Sequence, residues 1–470
     1  MGGAHAAGVF MANRPGPRMG DETRMHRHLS KGAAVTTTAL PVSAQAGDYF
    51  LASGRWDNVV LVIDLDRAID PANDMTPNAV VNRLRVTPDI DTDGDGETDA
   101  IASGQPIIVT IAPDYRTAYI SNHSGSATEA ETTAFQHGHP GSVAVLDLTK
   151  ALDPEMNGTL GAVETWIDSQ GAGATGFAIL PDGAHAALAH AEDMGTEDGG
   201  RYINIVDLET NEVIRQVEQG YGTPGFDCPP ETIPRSAPDP AFGCFPDTNG
   251  VTASEMGGGL IFTANGGTDD VSVIDIDMAL AGETGAEIAR IPMQAGGFGI
   301  TTSPDGRYVA HASRENARTG DEGNTVSIID VEMAANDPDN AEIARVTVGT
   351  GDPEEGTRPF VAAFTPDGSR IVSTNFRTNT IDIVDVEKAI AGEPATERRI
   401  ELTIPNGDPS RPRGVAFTPD GAYAAITGAP PKAGSDSSMV WIVDMETGEV
   451  AGRVTEIGSE SYMIGYFEAG

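Results

Sequence analysis

The sequence predicts an all-β protein built from small sheets that repeat along the chain. Short apolar segments of strand length alternate with turns containing Pro, Asp and Gly. The clearest set lies between Arg358 and Lys388, where three such segments are separated by Pro366-Asp367-Gly368 and by a short polar loop. A segment at 398–404 supplies a fourth strand. An isolated unit of this kind exposes both of its apolar faces, so we expect the units to stack.

The number of repeats predicts the architecture. An apolar alternation that closes on Asp marks the third strand of each unit, and it occurs at Asp64, Asp147, Asp207, Asp275, Asp330, Asp385 and Asp444. Pro-Asp-Gly turns begin at Pro181, Pro304, Pro366 and Pro419, with a variant at Pro113. Seven units at uneven spacing predict a seven-bladed β-propeller.

The predicted blades follow one another along the chain. Blade one begins near residue 47 without a first strand, and the other six lie at about 106–168, 173–220, 221–293, 296–349, 358–404 and 412–457. The run 462–467 follows the last blade and has no blade of its own. We therefore expect it to complete blade one, so that pairing of the N- and C-terminal strands closes the ring and removes exposed edges.

The repeated motifs resemble those of a known family. The run FTPDGSRIVSTN at 364–375, followed by NTIDIVDV at 379–386, resembles the YVTN-type propeller repeat, which is also seen in lactonase-like propellers. The resemblance covers about residues 48–467. It implies the fold and says little about function, because this fold hosts many chemistries.

Charge and hydropathy restrict the partners. The chain carries 70 Asp and Glu against 29 Lys and Arg, a formal net charge of −41. Such a surface repels nucleic acid and anionic membranes, so we expect no nucleic-acid partner. No run reaches the ~18 apolar residues of a membrane span. We therefore expect no membrane span.

Residues 1–46 differ from the rest of the chain, because they have no strand pattern. Three basic residues precede a mildly apolar run at 32–42, and Ala44-Gln45-Ala46 fits a signal-peptide cleavage site. A disordered leader is the alternative. The pattern favours a signal peptide, with the propeller at 47–470 located in the periplasm or secreted.

The two cysteines, Cys228 and Cys244, lie in one Pro-rich insertion. In an oxidising compartment they are expected to form a disulfide that closes this loop. A pair of metal-binding thiolates is the alternative. No C-x-x-C-H motif occurs, which excludes covalently attached haem on this chain.

Insertions are concentrated on one predicted face of the ring. This face receives the loops after the second strands and the connections between blades, whereas the Pro-Asp-Gly turns lie on the other face. The insertions are 86–105, 124–141, 191–201, 220–250, 314–324 and 428–438. Long loops on a rigid scaffold usually carry the binding residues, so we expect the functional site here.

One insertion contains a calcium-loop pattern. Asp91, Asp93, Asp95 and Asp99 recur with the spacing of hard-cation ligands, and Gly96 permits the sharp turn. The pattern resembles the calcium loops of dockerin-type and thrombospondin-type repeats. It lacks the final bidentate acid of an EF-hand, because residue 102 is Ala. The alternatives are a structural calcium site and a solvated acidic loop.

Histidines on the same face suggest a second metal. His123, His137 and His139 could bind zinc or copper, with His190 or His311 as further partners, and metal-bound water could act as a nucleophile. The alternative is that each histidine is simply a surface or hydrogen-bonded residue.

Arginines form the other candidate site. Alignment of the strand ends places Arg55, His123 and Arg314 at equivalent positions, and Arg358 and Arg413 precede the first strands of their blades. Guanidinium groups that converge on the channel mouth suit a carboxylate, sulfonate or phosphate ligand. The alternative is that each arginine pairs with an acid across a blade interface.

Three functions are consistent with these patterns. The preferred one is a binding module that holds an anionic small molecule or a protein partner. The second is a lactonase-like hydrolase or a metal-dependent oxidoreductase with a His/Arg pocket. The third is a periplasmic metal-handling protein. No Ser-His-Asp elbow, P-loop or dinucleotide motif occurs, so the sequence predicts no catalytic pair.

Overall fold

The computed structural model describes residues 46–87, 89–90, 99–100, 104–124, 140–194, 199–220, 244–316, 320–350, 356–428 and 438–470. Within these ranges the regular structure is mainly antiparallel β-sheet, with only short helices. The all-β prediction is confirmed.

The strands agree closely with the segments expected from the pattern. In chain order the first twelve are β1 (Gly47–Gly54), β2 (Val59–Asp64), β3 (Val80–Arg85), β4 (Asp89–Ile90), β5 (Asp99–Ala100), β6 (Pro106–Ile111), β7 (Thr117–Asn122), β8 (Pro140–Asp147), β9 (Val163–Ile179), β10 (His185–Glu192), β11 (Tyr202–Asp207) and β12 (Glu212–Glu218).

The second part of the chain continues in regular sets of four. Its strands are β13 (Thr248–Ser254), β14 (Leu260–Asn265), β15 (Asp270–Asp275), β16 (Glu287–Pro292), β17 (Gly296–Thr302), β18 (Tyr308–Glu315), β19 (Glu322–Asp330), β20 (Glu342–Thr347), β21 (Pro359–Phe364), β22 (Arg370–Asn375), β23 (Thr380–Asp385), β24 (Thr396–Glu401), β25 (Pro412–Phe417), β26 (Tyr423–Gly428), β27 (Met439–Asp444), β28 (Val450–Val454) and β29 (Ser461–Ala469).

Most of the described strands belong to four-stranded sheets. Four sheets contain consecutive strands (β13–β16, β17–β20, β21–β24 and β25–β28), and a fifth has the order β29-β1-β2-β3. In this fifth sheet the last strand pairs antiparallel with the first, with Tyr49 opposite Phe467. The strands β4 and β5 form a separate small hairpin.

The strands from β6 to β12 form one seven-stranded sheet. The long strand β9 joins its two halves, since residues 163–168 pair with β8 and residues 172–179 pair with β10. One strand thus serves as the outer strand of one unit and the inner strand of the next.

The aspartates that close the third strands have a local structural role. Each accepts a hydrogen bond from a backbone N–H two or three residues later in the chain. Five of them cap short helices: α1 (Leu65–Ala68), α2 (Leu148–Ala151), α3 (Ile276–Ala281), α4 (Val331–Asn336) and α5 (Val386–Ile390). The repeated Asp therefore reflects N-capping chemistry at the strand end.

Four 3₁₀ turns complete the helical content of the described residues. They are Arg55–Asp57, Pro154–Met156, Met256–Gly258 and Pro338–Asn340. The third of these lies between β13 and β14, at the place where other units have a Pro-Asp-Gly turn.

The apolar core lies between neighbouring sheets. Leu51 and Val62 of the first sheet pack with Ile120 and Leu146 of the next, and all four side chains are fully buried. Both faces of these strands are covered, which explains why their sequences are nearly continuous apolar runs.

Candidate anion-binding site

Six arginines lie at one end of the sheets. This arginine cluster consists of Arg55, Arg314, Arg358, Arg377, Arg411 and Arg413, all at strand ends or starts. The strand β18 shows which end this is, because Arg314 lies near its end whereas Arg307 precedes its start and follows the turn Pro304-Asp305-Gly306. The cluster is therefore at the end of β18 opposite that Pro-Asp-Gly turn.

Three inner strands at this site begin in the same unusual way. Gln105, Arg358 and Arg411 each precede a proline and have positive φ angles of 55°, 52° and 48°. This conformation is uncommon for residues other than Gly. Hydrogen bonds hold all three backbones. The Arg358 N–H donates to Gly323 O, and the N–H groups of Gln105 and Arg411 donate to the side-chain oxygens of Asn58 and Asn379. The backbone is therefore strained at the residue that precedes each of these strands. Strained residues of this kind are common at functional sites.

An aromatic cluster supports the arginines. Phe360 stacks on Phe298 with ring centroids 4.4 Å apart, and it lies 6.0 Å from Phe376 and 5.7 Å from Tyr462. Four guanidinium carbons lie over these rings. The distance from the carbon to the ring centroid is 5.6 Å for Arg314 over Phe360 and 5.2 Å for Arg411 over Phe376. Over Tyr462 it is 5.0 Å for Arg55 and 4.6 Å for Arg413. Such cation–π contacts orient the guanidinium groups and stabilise them away from bulk water.

Acidic partners neutralise only part of the cluster. Glu460 binds both Arg55 and Arg413, with the closer contact of 2.8 Å to Arg413 Nη2. Glu315 binds Arg358, and Glu322 lies 3.2 Å from Arg358 Nε.

The remaining arginines have fewer partners. Glu322 also lies 3.0 Å from Arg377 Nη2. Arg314 and Arg411 have no ion pair among the residues that the structure describes. In the part of the chain that the structure describes, three carboxylates thus pair with a cluster of six guanidinium groups, a local positive excess in a protein of net charge −41.

The pKa shifts are consistent with crowding of positive charge. Burial, and after it repulsion from Arg314, Arg377 and Arg411, lowers the pKa of Arg358 to about 9. Burial also lowers the pKa of the Arg314 and Arg413 guanidinium groups. With a pKa of about 9, the Arg358 guanidinium still carries its charge at neutral pH. A bound anion would relieve the mutual repulsion of these arginines.

His123 lies beside the cluster and has its own carboxylate. Its Nε2 atom is 3.7 Å from Glu192 Oε1. The buried Gln105 links it to the arginines, because the Gln105 carbonyl accepts from the His123 backbone N–H at 3.0 Å and its side-chain Oε1 accepts from Arg55 Nε at 2.6 Å. The chain therefore brings together Arg55, Arg314, Arg358 and Arg413, with His123 adjacent.

Sequence reasoning missed several members of the site. The repeated Arg-Pro step at 358–359 and 411–412 could have pointed to Arg411. The expectation that Arg413 precedes its strand is wrong, because β25 already begins at Pro412, which pairs with Gly428. Glu460 and Tyr462 gave no local signal.

Most of the predicted metal ligands cannot be placed. Asp91, Asp93, Asp95, His137 and His139 lie outside the described residues, and Asp99 is the first residue of β5. Among the described residues there is no group of three or more His, Cys, Asp or Glu that could hold a metal ion. The proposed calcium and transition-metal sites stay predictions.

The other predicted residues have structural surroundings. His190 and His311 are buried inside strands β10 and β18, and burial lowers their pKa values to about 4 and about 3. Cys244 is disulfide-bonded, and Cys228 lies outside the described residues. No helix in the described part of the chain is long and apolar enough to cross a membrane.

Solved structures with the same fold identify the class of protein. The chain is similar to the periplasmic gluconolactonase of Pseudomonas aeruginosa, at TM-score 0.57 and 15% identity over 90% of this chain and 99% of that one. It is similar to a Bacteroides uniformis protein provisionally assigned as a 6-phosphogluconolactonase, at TM-score 0.55 and 13% identity over 89% and 99% of the two chains.

A functionally unknown protein from Desulfotomaculum acetoxidans is also similar, at TM-score 0.54 and 14% identity over 88% of this chain and 98% of that one. No family model and no curated protein sequence matches the chain. At these identities the comparisons show the fold alone, and this fold is a β-propeller.

Proposed function

We propose that the protein is an exported, seven-bladed β-propeller that binds an anionic small molecule at the arginine cluster. The observation that carries this proposal is the charge imbalance among the described residues of the site, where six guanidinium groups form ion pairs with only three carboxylates. A strongly acidic protein gains nothing in solubility from such a cluster, so its arrangement favours a ligand.

Contacts between the inner strands support the proposal of seven blades. Each inner strand contacts the next one in the series β29, β6, β9, β13, β17, β21 and β25. The last of these, β25, contacts β29 again. If the seven-stranded sheet contributes two blades that share β9, the sheets amount to seven. The pairing of β29 with β1 then joins the two ends of the chain.

Export is supported by two independent features. The segment 1–46 has the pattern of a signal peptide, and one similar propeller is described as periplasmic. Intact-mass analysis of protein recovered from the periplasmic fraction of an expressing bacterium tests this. A mature chain that begins at Gly47 is expected, whereas full-length protein confined to the cytoplasm would contradict export.

Calorimetric titration with gluconate, a soluble carboxylate, tests anion binding. The full-length protein is expected to bind it, and the Arg358→Gln variant is expected to bind about 10-fold more weakly, because one charge-assisted contact is lost. Arg307→Gln is the matched control, since Arg307 lies over Tyr308 at the opposite end of β18. Equal loss in both variants would contradict the assignment of the site.

Lactone hydrolysis is the second candidate function, and the His123–Glu192 pair beside the arginines favours it. The His123 imidazole would take a proton from a water molecule as the water oxygen attacks the lactone carbonyl carbon. Guanidinium groups would stabilise the oxyanion. The ring C–O bond would then break, and its oxygen would take the proton from the imidazolium to give the hydroxy acid.

Acid release from glucono-δ-lactone tests this second function. We expect His123→Gln to lose about 100-fold in rate, since a general base contributes about that much. His185→Gln is the control, because His185 is paired with Asp182 next to a Pro-Asp-Gly turn. A rate unchanged in the His123 variant would remove hydrolysis at this site and leave ligand binding intact.

A further inference from the structure

Two of the six arginines differ from the others. Arg314 and Arg411 have no ion pair within the described ranges, whereas Arg55, Arg358, Arg377 and Arg413 each contact a glutamate. Both residues are half-buried, and Arg314 Nε is a buried nitrogen with no hydrogen-bond partner in the described structure. They are the two arginines of the cluster that have no close ion pair in the described structure, although Glu322 attracts Arg314 and Glu460 attracts Arg411 at longer range.

These two arginines occupy separate, neighbouring positions. Arg314 lies over Phe360 and Arg411 lies over Phe376, and these two rings are 6.0 Å apart. Arg358 lies near both, because repulsion from each of them lowers its pKa. The already paired Arg358 thus lies near two guanidinium groups that have no ion pair in the described structure.

This geometry suits two anionic groups better than one. A single carboxylate can form a bidentate pair with only one of the two planar guanidinium groups. The second arginine would then keep an unneutralised, partly desolvated charge. A ligand with two carboxylates on a short linker satisfies both, and the apolar rings beneath accommodate the linker.

We infer that the arginine cluster is selective for small dicarboxylates, which bind with one carboxylate on Arg314 and the other on Arg411. The inference rests on the proposed anion-binding function and adds the ligand class and the residue that recognises each end. The glutamate-paired arginines then provide the surrounding positive field.

Calorimetric titration of the full-length protein with succinate and butyrate tests the inference, because these acids have the same chain length and differ by one carboxylate. Succinate is expected to bind at least about 10-fold more tightly, the value of one additional charge-assisted pair. Inorganic phosphate, a compact dianion, is the third probe and is expected to bind no better than butyrate.

The variants Arg314→Gln and Arg411→Gln supply the distinguishing result. Each is expected to lose about 10-fold in succinate affinity and only about twofold in butyrate affinity, since a monocarboxylate can still use the other arginine. Arg314→Lys keeps the charge and is expected to recover part of the selectivity. Arg307→Gln should change neither affinity, and ligand-free melting temperatures identify any variant that is misfolded.

The possible outcomes distinguish selectivity for dicarboxylates from anion binding in general. Equal affinity for succinate and butyrate, or phosphate binding as tight as succinate binding, overturns the dicarboxylate inference and leaves anion binding in place. No binding of any of the three anions overturns both.

Discussion

At the scale of single residues, the most consequential side chain is Glu460. Its carboxylate contacts Arg55, Arg413 and Trp56, and Arg413 is only 2% exposed. Glu460 thus compensates the charge of the fully buried Arg413 and that of Arg55, another member of the arginine cluster. Removal of the acid leaves a buried charge without its main partner.

We predict that Glu460→Gln lowers the free energy of unfolding by about 3 kcal/mol, the usual cost of breaking a buried ion pair. Urea denaturation followed by circular dichroism measures it. Glu397→Gln is the matched control, because Glu397 pairs with Arg370 and Lys388 at the exposed surface and should cost less than about 1 kcal/mol. Similar losses in both variants would argue against a special role of Glu460.

The buried histidines predict acid sensitivity. The pKa values of His190 and His311 fall to about 4 and about 3 on folding because burial disfavours the charged form. The unfolded chain therefore binds more protons below about pH 6.5, and stability falls as the pH decreases through that range. Asp270 acts in the opposite sense, since burial raises its pKa to about 6.

The free energy of unfolding should fall between pH 7.5 and pH 5 in the wild type. In the His311→Gln variant we expect this fall to be smaller by about 2 kcal/mol. Urea midpoints at the two pH values measure this difference. His185→Gln, at a partly exposed position, should follow the wild type. A wild-type pH dependence retained in His311→Gln would show that another group is responsible.

At the scale of elements, the strand-closing aspartates explain why the sequence repeat is so regular. Asp385 accepts from the Lys388 backbone N–H at 2.9 Å and caps α5. We predict that Asp385→Ala costs about 1 kcal/mol, the typical value of an N-cap. Thermal unfolding of the two variants measures this cost, with Asp339→Ala as the control. Asp339 is exposed and has no ion pair in the described structure, so its replacement should leave the stability unchanged.

The paired strands β4 and β5 place Ile90 opposite Asp99, and the predicted calcium loop at 91–99 begins directly after Ile90 in the sequence. If the loop binds calcium, millimolar calcium added to chelator-treated protein should raise the melting temperature, and Asp93→Asn should abolish the rise. Elemental analysis of protein purified without chelator measures the metal directly. A calcium response that survives Asp93→Asn would locate the ion elsewhere.

At the scale of the whole molecule, the C-terminal strand connects the ends of the chain to the proposed site. The strand β29 pairs with β1, contacts the inner strands β6 and β25, and carries Tyr462. Loss of this terminal strand pairing should therefore also abolish the proposed ligand binding. We predict that deletion of residues 461–470 abolishes cooperative unfolding, because it exposes β1 as an open edge.

Limited proteolysis and urea denaturation measure the effect of that deletion. Deletion of Gly470 alone is the control, because this residue is exposed and lies beyond the end of β29. A cooperative transition in the longer deletion would show that closure contributes little to stability.

Much of the fold was predictable because its determinants are local. The predicted segments at 370–375 and 380–386 correspond to β22 (Arg370–Asn375) and β23 (Thr380–Asp385). Alternating apolar residues, turn residues and capping aspartates all act within a few positions along the chain. These features by themselves determined the all-β class and the four-stranded repeat.

The candidate site was only half predictable, because its contacts join distant parts of the chain. Arg55 meets Glu460 across 405 positions, and Arg413 packs on Tyr462, which no local pattern marks. Only the tertiary structure decided which arginines are paired and which are not. The physical reason is that strand patterns arise from neighbouring residues, whereas charge compensation depends on the side chains that the folded sheets bring to one end.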